Sequence, residues 1–368
     1  MFQRSQTDNR RVIIVDYSHM AWAYAFGQAQ SLSCVLNING VSQVVDTTIP
    51  AYTIKALNRW AEGGRHPLAV CFDGVGSSRC RKAYFAKLFG LNTDGSAIAY
   101  KAGRENKDQK FYDGIAITLA KLIEGGVSCY KAVNYEADDL IKACVDKAKE
   151  QYPDLPIDVI TGDHDLLPLV DDQVSVFIRS RKTTYAESPN IEKKHYVQVT
   201  PRNFEEYLSD LNAYKTIEVP YNTVLLAKLL RGDKSDGIPG KPDWKPKMYK
   251  MLIERFRMLG YDLSELCRYD APTQEIVTCP DGSTVIKYGE PKKLTQLCEA
   301  MRQVGCEEED LVHVRNIYNG INLNGAFTNM GEFNRIPAVI TSPINCYDVY
   351  RLQLAVKKDL QINLPAYD

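Results

Sequence analysis

Nowhere in the 368-residue sequence do 18 consecutive apolar residues occur, and its start, MFQRSQTDNRR, is polar. Neither a membrane-spanning helix nor a cleaved secretion signal is expected. CxxC pairs are absent as well. The ten cysteines, at 34, 71, 80, 129, 144, 267, 279, 298, 306 and 346, are scattered, several inside apolar or helical runs. A zinc site or a disulfide framework has no support, and a reduced cytoplasmic compartment fits best. There is no internal repeat, no low-complexity stretch and no excess of either charge, the formal net charge being −1. Such a balance does not mark a nucleic-acid binder. Any basic surface must therefore be local, offset by an acidic cluster elsewhere.

What is present is the composition of a globular protein, 45% hydrophobic and 25% charged, long enough for two or three domains. Short apolar runs alternate with segments of helical composition. Arg11 to Asp16 and Leu68 to Phe72 read as buried parallel strands; Val127 to Tyr130, Ile157 to Ile160, Val174 to Ile178 and Tyr196 to Thr200 read as further strands. Helices are expected over Tyr17 to Gln28, Ile49 to Glu62, Phe111 to Glu124 and Leu140 to Gln151, with a turn at Asn39-Gly40. The alternation implies an α/β domain with a largely parallel sheet, over about residues 1–215. From Pro201 the pattern becomes helical: Asn203 to Asn212, Tyr221 to Leu230, Lys247 to Leu259, Leu294 to Val304 and Glu307 to Tyr318. Residues 275–290 form a hairpin-like insertion turning at Asp281-Gly282. A helical region over about 216–330 is expected, and 331–368 reads as irregular.

Negative charge is concentrated unusually. Glu136-Ala137-Asp138-Asp139 opens one αβ unit and Gly162-Asp163-His164-Asp165 closes it. Like charges a few ångströms apart resist ionising together, so something positive belongs among them. Asp16, Asp73 and Asp163 each follow an apolar strand, and parallel sheets bind ligands outside the carboxyl ends of their strands. Taken singly, Asp16 or Asp73 reads equally well as a helix N-cap. An extended backbone aims Asp163 and Asp165 the same way, with His164 opposite. Glu136 and Asp139 share a helix face, and Asp138 joins them only if the motif sits on the first turn. Many carboxylates without a His/Cys set suit two hard divalent cations, of the kind that promote in-line displacement at phosphorus.

Two other stretches carry positive charge. Ser77 to Lys110 holds eight Lys or Arg against three acids, among them Arg79, Arg81, Lys82, Lys101 and Arg104. Tyr84, Phe85, Phe89 and Tyr100 are interleaved with them. This is the make-up of a segment that tracks a phosphate backbone and stacks on bases, and equally of a solvated helix pair. Gly90 to Gly95 divides it into two expected helices. The second stretch is GDKSDGIPG, Gly232 to Gly240, between two expected helices. Its glycines allow backbone N–H groups close to phosphates, and Lys228, Arg231, Lys234, Lys241, Lys245, Lys247 and Lys250 give it a local positive field.

In order, VIIVD, FDG, a basic segment with YKAGR, YEADDL, TGDHD and GDKSDGIPG resemble the 5′-nuclease family of flap endonucleases, polymerase I 5′-nuclease domains and phage 5′–3′ exonucleases. The resemblance covers about residues 11–260; beyond that it is faint, nearest T7-type phage exonucleases. It implies a PIN-like α/β nuclease domain with a basic helical arch at about 77–110. A helix–three-turn–helix DNA-binding region would follow.

The same resemblance implies a first metal site from Asp16, Asp73, Glu136 and Asp138, with Asp163 shared. A second would use Asp139, Asp163, Asp165 and Asp236, with Asp233 nearby. Both would hold Mg²⁺ or Mn²⁺. Arg79, Lys101 and Arg104 would hold the scissile phosphate, and Trp22 would stack on a nucleotide. Gly232, Lys234, Ser235, Gly237, Ile238, Gly240 and Lys241 would grip duplex DNA, with a monovalent cation such as K⁺ at the loop. Where the family continues with a G-I-G-P-K turn, this chain reads KPDWKPKMYK, so Lys245 and Lys247 could meet phosphates without the backbone contact. The arch is also expanded, over Cys80 to Ala99.

The implied activity is hydrolysis of DNA, or of RNA in RNA–DNA hybrids, at 5′ ends, flaps and branches during replication, repair or recombination. The implied setting is the cytoplasm of a bacterial or phage-infected cell. The alternatives are a PIN-type ribonuclease and a non-catalytic binder of branched DNA.

Overall fold

The computed structural model describes residues 9–26, 31–38, 40–89, 100–101, 107–179, 195–209, 211, 219–220, 223–270 and 272–322. In chain order its elements are β1 (Val12–Asp16), α1 (Tyr17–Ala25), β2 (Ser33–Ile38), β3 (Val41–Asp46), α2 (Thr48–Trp60), β4 (Leu68–Phe72) and α3 (Arg79–Phe89). Then come α4 (Gln109–Glu124), β5 (Ser128–Lys131), α5 (Ala137–Gln151), β6 (Ile157–Thr161), β7 (Val174–Arg179), β8 (Tyr196–Val199) and α6 (Phe204–Ser209). The helical part holds α7 (Val224–Arg231), the short pair β9 (Gly232–Asp233) and β10 (Ile238–Pro239), α8 (Pro246–Met258) and α9 (Leu263–Leu266). The hairpin β11 (Gln274–Thr278) and β12 (Thr284–Tyr288) follows, then α10 (Lys292–Gln303) and α11 (Glu308–Ile321).

Six strands form one sheet in the order β5-β4-β1-β6-β7-β8, parallel except for the antiparallel edge strand β8. Every residue of β1, β4 and β6 is buried, because helices cover both faces of the sheet and no side chain can be polar without a partner. On one face Ile13, Val15, Val70 and Phe72 pack with Leu57 and Trp60 of α2 and with Phe111 of α4. On the other, Val12, Ile14, Cys71 and Val159 pack with Leu140 and Cys144 of α5. That core runs without interruption into Leu226, Tyr249, Phe256, Leu297 and Tyr318 of the later helices. The helical region therefore shares its core with the sheet, and the expected boundary near residue 215 falls outside the described residues. Among the described residues no helix is long and apolar enough to cross a membrane.

Among the described residues the expected strands and helices are found, with ends shifted by a few residues, and the segment 331–368, expected to be irregular, lies outside them. Two results differ from the sequence reading. The turn at Gly40, with φ +83°, belongs to a β2–β3 hairpin, which the sequence pattern does not announce. Of the two helices expected between Ser77 and Lys110, α3 is described, while residues 90–99 and 102–106, with Arg104, lie outside the described part.

Helix α3 is fastened to the late helices. Tyr84 donates its hydroxyl proton to the Asn316 carbonyl at 2.9 Å, and a Cβ on Gly320 of α11 would lie 2.3 Å from the Phe85 ring. Gly320→Val is therefore expected to force these helices apart, lowering stability by about 1–3 kcal/mol, read as a lower urea midpoint.

Candidate active site

The order of strands reverses around β1, the position where parallel sheets form a ligand crevice at their carboxyl edge. Asp16 ends β1, Asp73 follows β4 and Asp163 lies just beyond β6. All three line a cleft of about 880 Å³ together with Glu136 and Asp138 from the start of α5. Asp138 reaches it because the helix begins at Ala137, with Glu136 as its N-cap, which puts the motif on the first turn. Asp16 also caps a helix, accepting from His19 N at 3.2 Å and from Thr161 Oγ1 at 2.9 Å. Asp73 accepts from Ala137 N at 2.9 Å and from Ser18 Oγ at 2.7 Å. Asp16 thus caps α1 and lines the cleft at once, while Asp73 caps no helix of its own and takes the first N–H of α5. Gly74 is required beside Asp73, since a Cβ there would sit 1.6 Å from the Ala132 carbonyl oxygen.

This group is electrostatically uncomfortable by itself. Burial, reinforced by Asp73, raises the Asp16 carboxyl to about 6. Burial and the neighbouring Asp165 raise Asp163 to about 7, and burial with Asp163 lifts Asp138 well above its ordinary value. All-oxygen donors, crowded and under-compensated, are the donor set of a hard divalent cation, and the residues fit such an ion.

Glu136 is the exception. Burial opposes its charge, but Arg81 and Lys101 outweigh that and pull it down to about 2. Its carboxylate accepts from Arg81 Nη1 at 2.6 Å, Tyr100 Oη at 2.9 Å and Lys101 Nζ at 2.7 Å. Lys101 adopts φ +58°, a left-handed backbone unusual for a lysine, while its N–H bonds the Asp236 carbonyl at 2.9 Å.

Three expectations are corrected by this geometry. Arg81, expected on the nucleic-acid side of the basic segment, is 2% exposed and faces inward. Asp139, expected at a second ion, is 0% exposed and accepts from Arg81 Nη1 at 3.0 Å and Nη2 at 2.6 Å and from Glu136 N at 3.1 Å. The cause is the reciprocal cap of α5, which turns the Asp139 side chain back toward the helix start, where the guanidinium meets it. Burial works against the Arg81 charge, but Asp139 and Glu136 outweigh it and hold the cation.

The third correction concerns Asp163 and Asp165. The chain after Asp163 is a 3-10 helix, His164–Leu169, and not an extended strand. Asp163 caps that helix, accepting from the Asp165 N–H at 2.9 Å, and lines the cleft. Asp165 joins Asp233 and Asp236, whose oxygens can lie within 4.8 Å of one another. His164, placed opposite by the extended reading, lines the cleft, with Nε2 3.0 Å from Tyr207 Oη.

Lys228 departs from its expected place too. It is buried, bonded to Asp165 and 3.1 Å from Asp233; burial disfavours its charge, but these acids raise it well above its usual range. Lys241 is engaged with Asp310, which also accepts from Trp244 Nε1 at 3.0 Å. Exposed cations among the described residues include Arg79, Lys82 and Lys87 on α3, Lys234 in the loop, and Lys245, Lys247 and Lys250 at and after the start of α8. Arg231, Gly237 and Gly240 are half-buried and Ile238 is buried. Gly232 ends α7 at φ +72°, which a side chain would resist. Ser235, exposed in the same loop, lines the acidic cleft, so the loop reaches the site. Trp22 lines it as well, 43% exposed.

Residues 11–196 match the family model for the 5′–3′ exonuclease, N-terminal resolvase-like domain. The chain belongs to this family. It is 32% identical over 254 residues to DNA polymerase I of Lactococcus lactis subsp. cremoris, covering 68% of this chain and 25% of the polymerase. To DNA polymerase I of Bacillus caldotenax it is 30% identical over 249 residues, covering 67% and 24%. The chain thus spans about a quarter of the length of these relatives. Among solved structures, a T5 protein co-crystallized with metal ions aligns at TM-score 0.48 and 13% identity, over 95% of this chain and 99% of that one.

Sequence reasoning found the cleft acids and missed the cations buried against them. Arg81 signals its role only weakly, as one basic residue among eight. Arg81→Met should leave Asp139 as an unpaired buried charge and cost about 3–5 kcal/mol in chemical denaturation. Combining it with Asp139→Leu is expected to restore part of that loss.

Proposed function

We propose that the protein is a divalent-metal-dependent 5′-nuclease that hydrolyses DNA phosphodiesters. The observation that carries this is the convergence of Asp16, Asp73, Glu136, Asp138 and Asp163 on one cleft at the carboxyl edge of the sheet. Membership of the 5′–3′ exonuclease family supports it. Asp16, Asp73, Asp138 and Asp163, with Glu136, would hold a first Mg²⁺ or Mn²⁺; Asp163, Asp165, Asp233 and Asp236 would hold a second. Bound there, the ions supply the charge that stabilises the attacking and leaving oxygens of a displacement at phosphorus.

The chain's own groups do the placing. Lys101, fixed on Glu136, sets a cation in the cleft, and Arg79 adds an exposed one; both offer contacts to the phosphate. Gly232 to Gly240 presents Lys234 and Ser235 to a duplex backbone, with Lys245 and Lys247 beyond, and a monovalent cation such as K⁺ would serve its amides. Asp236 links grip to cut, since its carbonyl holds the Lys101 backbone while its side chain stands with Asp165 and Asp233. Substrates are 5′ ends, flaps and nicked or branched duplexes, with RNA–DNA hybrids included, in replication, repair or recombination.

A 5′-labelled flap and a nicked duplex, incubated with Mg²⁺, test the reading. Cleavage is expected with Mg²⁺ or Mn²⁺ and none in excess EDTA; mononucleotides mark exonuclease action and an intact released flap marks endonuclease action. Asp163→Asn should reduce cleavage to background while retaining affinity for branched DNA. Because it removes one of several mutually repelling, crowded carboxylates, it should also raise the metal-free melting temperature by about 2–4 °C. Full activity in this variant, or metal-independent cleavage by the unaltered protein, would overturn the assignment.

A further inference from the structure

Helix α1 buries Tyr17, Met20, Ala21 and Ala23 against the sheet, yet leaves two large aromatics outside. Trp22 is 43% exposed and Phe26, the residue that ends the helix, is 56% exposed. They stand at i, i+4, so they share one helix face. The Phe26 N–H bonds the Trp22 carbonyl at 3.1 Å, and the ring centroids are 5.6 Å apart with planes tilted by 41°. Phe26 is backed by Phe111 at 6.1 Å, a ring that is itself buried in the core. One side of Phe26 thus rests on rigid structure while much of the ring stays in water.

A single exposed aromatic is ordinary; two adjacent rings on the wall of a functional cleft are not. Trp22 and Phe26 line the same 880 Å³ cleft as Asp16, Asp73 and Asp163. Lys107, its ammonium 4.2 Å from the Phe111 ring centroid, lines that cleft beside them. The wall has a division of chemistry. Carboxylates with Lys101 and Lys107 form its charged part, and the two rings form an uncharged part of the right kind for flat, weakly polar ligands. A nucleic-acid strand has that division, with anionic phosphates on one side and π-faced bases on the other.

We infer that Phe26 is a nucleobase-stacking residue, forming with Trp22 a two-ring platform that receives neighbouring bases of a single-stranded DNA end in the acidic cleft. The inference rests on the nuclease reading above and extends it. Trp22 is the stacking ring that the family resemblance already implies; the addition is Phe26, which, tilted and farther along α1, receives a neighbouring base. Stacking on two rings fixes the strand's direction through the cleft and tolerates any base sequence, since every base has a π face.

The test uses the full chain and a fluorescent hairpin oligonucleotide with a single-stranded 5′ overhang, in Ca²⁺ to hold back cleavage. Phe26→Ala should weaken binding by about 5–100-fold, the range for loss of one stacked base. Phe26→Leu, which keeps an apolar side chain over Phe111 and so preserves the fold, should lose a comparable share because it lacks the π face. An abasic site moved along the overhang should erase the Phe26→Ala effect at one position, and the Trp22→Ala effect at a different one. Unchanged affinity in both Phe26 variants overturns the assignment, as does a loss equal at every abasic position. If the unaltered protein neither binds nor cleaves DNA, the nuclease reading falls, and this inference with it. Normal cleavage by the unaltered protein with unaffected Phe26 variants removes the platform alone.

Discussion

The structure depends on how crowded negative charge is balanced. Asp16, Asp73, Glu136, Asp138 and Asp163 line the cleft at the carboxyl edge of the sheet, Asp139 lies buried behind them on Arg81, and Asp165, Asp233 and Asp236 form a second group, a density that ordinary folding has no reason to produce. The fold answers with cations, of which Arg81 and Lys228 are buried. Arg81 is shared between Glu136 and Asp139, Lys101 leans on Glu136 from the cleft side, and Lys228 stands between Asp165 and Asp233. What these do not neutralise is left facing the cleft, where Asp16, Asp138 and Asp163 are held above the usual carboxylate range. The surplus is the part of the site suited to an added cation.

The same cations tie elements together. Arg81 brings α3 onto the start of α5, and Lys228 joins α7 to the turn after β6. The Lys101 backbone bonds the loop that carries Asp236. Sheet, basic segment and helical region thus meet at one place, and the core they share runs from β1 to α11. A change at any of these cations is felt in stability and in site geometry alike, because the charge that assembles the site also fastens the chain around it.

Much of the fold was legible because its signals are local. Apolar runs bounded by Asp and Gly, such as LAVCF before Asp73-Gly74, mark buried strands whether or not their neighbours are known. The β2–β3 hairpin was not legible, since Ser33–Ile38 and Val41–Asp46 carry no clear alternation. The site was half legible. Strand ends place Asp16, Asp73 and Asp163 on one edge by topology alone, and a helix start decides that Asp138 faces the cleft. The direction of Asp165 was not, because it turns on a 3-10 helix in place of an extended segment.

Sequence by itself determined the α/β order, the strand-end acids and the motif order shared with the 5′ nucleases, all of which rest on spacing and local chemistry. Only the tertiary structure decided which charges meet. Arg81 and Asp139 are 58 positions apart and Lys228 and Asp165 are 63 apart, so their pairing follows from packing across the sheet. It likewise decided that Trp22 and Phe26 stay in the cleft while their neighbours on α1 are buried. The physical reason is the same in both cases. A carboxylate or an aromatic ring has its chemistry from its own atoms, but its role comes from what the fold sets within a few ångströms of it.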